Sequence, residues 1–311
     1  MAFFHAMEGL VSIIIMVSIG YILAAKGWFN QENSKLLPQL INYVALPTYM
    51  IWNLLTTFDK STLLFMLNGI AVPIISMLIS FAIAFLLSKA LQLPANRAGT
   101  FRSIFFCSSS VFVGVPVNLA LFGEKSIPYV LVYFLANAIL FWTIGNYSIS
   151  LDGTAVPAKI MSFKTVKRVC SPPLVGFAVA VFMILCGIHL PDFAINTTKY
   201  LGSMTTPLSM LFIGITIFGI PINKIKFSNE LLAILLGRFV ISPIIILIVV
   251  FFFPIPELMK KVFVIQAALP AMSHNTVLAK VYGADAEYAA LMVAITTLFA
   301  VFAIPVYMVI T

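Results

Sequence analysis

Apolar runs of roughly 18 to 25 residues follow one another along this chain with little between them, and a helix of that length crosses the ~30 Å hydrocarbon core of a bilayer. About ten can be counted, near Leu10 to Ala25, Lys35 to Leu55, Leu63 to Leu87, Ala98 to Phe122, Ile127 to Ile149, Pro172 to Ile188, Thr198 to Phe218, Leu231 to Phe253, Lys260 to Tyr282 and Tyr288 to Ile310. In hydrocarbon each backbone polar group must be satisfied inside the protein, which leaves helices as the usable element. The expected fold class is therefore an all-α polytopic membrane protein. At 62% hydrophobic and 9% charged residues, the composition excludes a soluble domain, where about a quarter of residues are charged.

Two of these runs are interrupted. The fourth carries Ser108, Ser109, Ser110, Gly114, Pro116 and Asn118, and the ninth carries Pro270, Ser273, His274, Asn275 and Thr276. A proline inside a spanning helix removes a donor and frees a carbonyl, which a membrane tolerates only where protein or a water-filled site satisfies the exposed groups. Each break runs on through a short apolar tail to a glycine, Gly123 in one and Gly283 in the other. Pro47 and Pro207 form a second pair, and both pairs share a displacement of about 160 residues, as a duplicated unit would give.

The basic residues report topology rather than a polyanion surface. Although the net charge is +8, Lys and Arg fall between the apolar runs and form no stripe with interleaved aromatics, so nucleic acid is not expected as a partner. Loops after odd-numbered runs hold roughly twelve of them against five after even-numbered runs, which places the odd loops in the cytoplasm and both termini outside. The polar stretch with Lys159, Lys164, Lys167 and Arg168 divides the chain. The expected organisation is a first five-helix repeat over 1–150, a cytoplasmic linker over 151–169 and a second five-helix repeat over 170–311. With five spans per half, the two repeats are inverted relative to each other.

If both breaks unwind at the bilayer midplane, each leaves a half-helix N-terminus pointing inward, where free N–H groups and the helix dipole favour an anion. Serines in such segments equally bond back to their own helix. Arg238 lies deep in the eighth run and no Asp or Glu lies deep in any, so it is expected either to meet a substrate carboxylate or to snorkel to the headgroups. His274 is the titratable group of the second break, and it either couples transport to a proton or stays neutral, bonded to a freed carbonyl. Cys107, Cys170 and Cys186 have no metal-ligand spacing, and neither a metal nor a cofactor is expected.

Asn42 to Pro47, Val113 to Glu124 and Ala268 to Gly283 together resemble the auxin efflux carrier family, which includes plant auxin exporters and bacterial malate or malonate permeases. The likeness covers nearly the whole chain. It implies ten helices, a scaffold of helices 1, 2, 6 and 7, and a transport domain of helices 3–5 and 8–10 moving elevator-fashion about the crossing of broken helices 4 and 9. It also implies substrate contacts beside that crossing. The candidate binding set is Ser109, Ser110, Gly114, Pro116, Asn118, Arg238, Pro270, Ser273, His274 and Asn275.

A multi-pass secondary transporter of the cytoplasmic membrane for malate- or malonate-like anions is the leading expectation, with room for a homodimer through the scaffold helices. An anion channel and a carrier of auxin-like aromatic carboxylates are the alternatives. Enzymatic activity is not expected, because no nucleophile or acid–base pair can be assembled from the buried residues. No GxxxxGK[ST] phosphate loop is present to drive a pump.

Overall fold

The computed structural model describes residues 2–29, 33–60, 68–155, 158, 171–219 and 227–310. The four basic residues of the expected linker, Lys159, Lys164, Lys167 and Arg168, lie outside them, as do Lys224, Lys226 and Cys170. The described residues are helical apart from turns and one isolated antiparallel bridge.

The helices are α1 (Ala2–Ala25), α2 (Leu46–Thr57), α3 (Ala71–Ala90), α4 (Ala98–Phe106), α5 (Gly114–Phe122), α6 (Glu124–Ser150), α7 (Pro172–Cys186), α8 (Asp192–Phe218), α9 (Asn229–Phe251), α10 (Glu257–Ala267), α11 (His274–Tyr282) and α12 (Ala286–Ile310). Among the described residues five helices, α3, α6, α8, α9 and α12, are long and apolar enough to cross a bilayer, and Val11–Ala25 and α7 are shorter apolar helices. The fourth and ninth runs fall short for a physical reason. Each is split into two pieces, α4 with α5 and α10 with α11, and a nine-residue helix rises only about 14 Å.

The chain resolves into two compact units, each drawing on both halves of the sequence. The first comprises Met1–Asn68, Val111–Val132 and Cys170–Gly219, and so holds α1, α2, α5, α7 and α8. Its tightest approach is between α1 and α8. A Cβ added to Gly20 would lie 2.2 Å from the Leu211 carbonyl oxygen, and one added to Gly214 would lie 2.0 Å from that of Val17. Backbones this close give the dense van der Waals contact that drives helix association where lipid removes the hydrophobic drive.

The second unit comprises Gly69–Ser110, Tyr133–Val169 and Ile220–Thr311, and holds α3, α4, most of α6 and α9 to α12. Its polar end is organised by Asp152, just beyond α6. The carboxylate accepts from the main-chain N–H groups of Gly99 and Thr100 at 2.6 Å each and from the Thr100 hydroxyl at 2.8 Å. A side chain distant in sequence thus satisfies the otherwise orphaned first turn of α4. Nearby, Arg97 reaches Glu230 at 3.4 Å and Asp285 at 3.7 Å, tying together the starts of α4, α9 and α12.

Burial pushes the Asp152 carboxyl above the usual carboxylate range, against the pull of the Gly99 and Thr100 donors and of Arg102. The folded chain therefore holds this proton more tightly than the unfolded chain does. Stability should fall as pH rises from the ordinary value of about 3.9 through the raised one, then level off. Removing the cap in Asp152→Ala should cost about 1–2 kcal/mol at neutral pH and flatten that pH dependence, read as melting temperature against pH in detergent. An unchanged pH profile in the variant would disprove the assignment.

Candidate functional site

In the second unit the two interruptions meet. Residues 107–113 and 268–273 are non-helical, and Ser108 pairs with Ala271 in the isolated antiparallel bridge. The Ser109 N–H donates to the Pro270 carbonyl at 2.8 Å. Unwinding frees backbone groups in a low-dielectric interior, where each unpaired one costs several kcal/mol. The neighbouring helices satisfy them with single polar side chains.

Asn137, on α6 and fully buried, acts as a substitute strand. Its Oδ1 accepts from the Ser108 N–H at 3.1 Å, while its Nδ2 donates to the Ser108 carbonyl at 2.9 Å and to the Ser110 hydroxyl at 3.1 Å. Gln266, in the last turn of α10, donates through Nε2 to the Ser110 carbonyl at 3.2 Å and leaves Oε1 buried without a partner. Thr296 of α12 accepts from the Ala271 N–H at 3.2 Å. None of these three was singled out from the sequence. The available signal was an amide or hydroxyl isolated in an apolar run, which in a membrane helix must face protein.

Arg238 does not snorkel: it is fully buried, and its guanidinium donates to backbone carbonyls. Nε donates to Leu269 at 3.1 Å, Nη1 to Phe105 at 3.2 Å, and Nη2 to Ala267 at 3.1 Å and Leu269 at 2.6 Å. The residue sits in a π-helical turn, Gly237–Ile241. Gly237 has no Cβ to strike the Phe105 ring, which would lie 2.2 Å away, so α9 comes close enough to the end of α4 for Arg238 to reach it.

His274 begins α11 and lies edge-on to two rings of α6, 6.3 Å from Phe141 and 5.8 Å from Trp142 between centroids. No hydrogen bond from it to a freed carbonyl is found among the described residues. Asn275 is fully buried, donates to the Met272 carbonyl at 2.7 Å and keeps Oδ1 unpartnered. Ser273 is exposed, and Ser109, Ser110 and Pro270 are buried. The structure thus brings Ser109, Ser110 and Pro270 together directly, with Arg238 bonded to the residues on either side of Ala268.

Gly114, Pro116 and Asn118 belong to α5, in the first unit, where all three are buried. Asn118 donates to the Gly114 carbonyl of its own helix at 2.8 Å and, like Asn275, keeps a buried Oδ1 without a partner. The half-helix starts are less open than expected. Val115 and Val117 donate to Val111 and Val113, and Asn275 and Thr276 donate to Met272 and Ser273. α5 and α11 have equal length and each ends at a glycine with positive φ, +71° at Gly123 and +73° at Gly283, which glycine adopts without a Cβ penalty, and Gly283 alone takes the left-handed helical turn.

The model of a family described as membrane transport protein matches residues 5–308, nearly the entire chain. The chain belongs to this family, that of the auxin efflux carriers. It is also similar to an uncharacterized transporter of Methanocaldococcus jannaschii, 24% identical over 305 residues and covering 97% of each chain. A second uncharacterized transporter, from Methanothermobacter thermautotrophicus, is 24% identical over 314 residues and covers 100% of each. As a member of this family the chain is a membrane-embedded transporter. Among the described residues no group of three His, Cys, Asp or Glu could hold a metal ion.

Proposed function

We propose that this family member is a secondary carrier of small organic anions across the cytoplasmic membrane, with malate- and malonate-like carboxylates as its substrates. The observation that carries the reading is the meeting of two unwound segments, Ser108–Ser110 with Pro270–Ala271, within one unit built from both halves of the chain. Such unwound pairs form solute sites in carriers built from inverted repeats. On this reading ten spans form two inverted five-helix repeats with both termini outside. Helices 1, 2, 6 and 7 serve as scaffold, also the surface for a homodimer, and helices 3–5 and 8–10 form the transport domain of an elevator-type cycle.

Substrate contacts in the second unit are assigned to Ser109, Ser110, Pro270, Ser273, His274 and Asn275. His274 is also the candidate for proton coupling. The Phe141 and Trp142 rings at His274 favour one second reading, a carrier of aromatic carboxylates.

Purified protein in liposomes is expected to take up labelled malonate saturably and to show counterflow when preloaded. His274→Ala and Asn275→Ala should each lower uptake about tenfold, the equivalent of 1.4 kcal/mol, without changing the melting temperature. Indole-3-acetate outcompeting malonate selects the aromatic reading. Conductance without saturation or counterflow would defeat the carrier.

A further inference from the structure

We propose that Arg238 is a resident cation, a positioning residue that occupies the place a bound metal cation would take between the two broken segments, so that this chain needs no such ion there. The proposal deepens the carrier reading and rests on it where uptake is the measurement.

Three carbonyls converge on the guanidinium, and their origin decides the argument. Phe105 lies in the last turn of α4, Ala267 is the last residue of α10, and Leu269 lies in the break that follows. Helix C-termini expose carbonyls with no partner of their own and carry partial negative charge. Two of them brought to one buried point repel each other, and backbone oxygens gathered in this way are what a hard metal cation binds.

Each C-terminus is equivalent to about half a negative charge, so two of them balance about one positive charge. Arg238 supplies that charge covalently, through a planar fork that reaches three acceptors at once. This explains how an arginine can be fully buried while bonded, among the described residues, to main-chain carbonyls. With the local charge balanced, an added Na⁺ would have neither free oxygens nor a favourable field at that point.

The tethered cation also differs from a transported one in being unable to leave. The frame formed by α4 and α10 therefore persists through the whole cycle, whichever ions are present on either side. The Gly237 gap and the π-helical turn are the features that bring Arg238 into reach.

The test compares wild type, Arg238→Ala, Arg238→Lys and Arg238→Gln in two measurements. In liposomes, replacing Na⁺ by choline should change wild-type malonate uptake by less than about twofold, because no site-bound metal is lost. Arg238→Ala should lose at least about tenfold and recover severalfold with millimolar guanidinium chloride, a free ion that binds the vacated carbonyls by mass action. In detergent, guanidinium should raise the melting temperature of Arg238→Ala and leave wild type unchanged or slightly lower.

Strict Na⁺ dependence of wild-type uptake would overturn the proposal, as would an Arg238→Ala protein that melts like wild type without any added cation. If Arg238→Ala cannot be purified, the other two variants decide. Retention of the fold by Lys and its loss by Gln supports a required charge, and equal behaviour of the two overturns it. Wild type that melts normally yet carries none of the tested anions defeats the carrier reading alone, and the detergent measurement still judges Arg238.

Discussion

Asn137→Leu is expected to destabilise the protein by about 2–4 kcal/mol and to abolish uptake. Leucine has the same branching and number of side-chain heavy atoms as asparagine and suits an apolar helix, so shape and propensity alone predict a milder effect. Hydrogen bonding predicts a severe one. The change strips the Ser108 N–H of its partner in a fully buried segment, at roughly 1–3 kcal/mol, and leaves the Ser108 carbonyl with the Ser110 N–H alone. Loss of the bond to the Ser110 hydroxyl adds to this. Asn137→Asp keeps the acceptor for the Ser108 N–H but lacks both donors, and should also fail. The measurements are chemical or thermal unfolding in detergent and uptake in liposomes. A leucine variant that unfolds with wild-type stability would mean that the bridge at Ser108 and Ala271 is held by something else.

The second large effect belongs to the first unit. Gly214→Ile should cost at least about 3 kcal/mol, because a Cβ there meets the backbone of Val17 and Tyr21 at 2.0 and 2.7 Å, and a backbone cannot swing aside as a side chain can. The only relief is separation of α1 from α8, which forfeits their mutual packing. Gly219→Ile at the end of the same helix is the control, since its nearest neighbours lie 3.5 Å away or more. Expression and melting temperature of the two variants should differ widely. Equal behaviour would show that the α1 and α8 contact contributes little to stability.

The two interruptions were legible in the sequence because proline and a cluster of small polar residues have few other uses inside an apolar run. The glycines that close α5 and α11 were legible too, since their matching spacing survives in the residues themselves. What satisfies the breaks was not. Asn137, Gln266 and Thr296 are single polar residues on three different helices, and only the tertiary fold assigns each to a particular N–H or carbonyl. Arg238 shows the limit most clearly. Its depth and its lack of an acidic partner were plain, yet the partners are main-chain oxygens, which every residue possesses and no sequence pattern marks.

The family assignment rests on nearly the full length of the chain, but the matched relatives carry no named cargo. The proposed uptake contrast between malonate and an aromatic acid therefore has to identify the solute.

The bond from the Ser109 N–H to the Pro270 carbonyl is made wholly by main chain, so it is indifferent to which side chains decorate that strand of backbone. A lineage could exchange the side chains at Ser109 or Ser273, for instance, and leave the joint between the segments intact. Cargo preference would then drift quickly on a frame that scarcely changes, and selection would bear hardest on a few hidden residues that never touch what is carried.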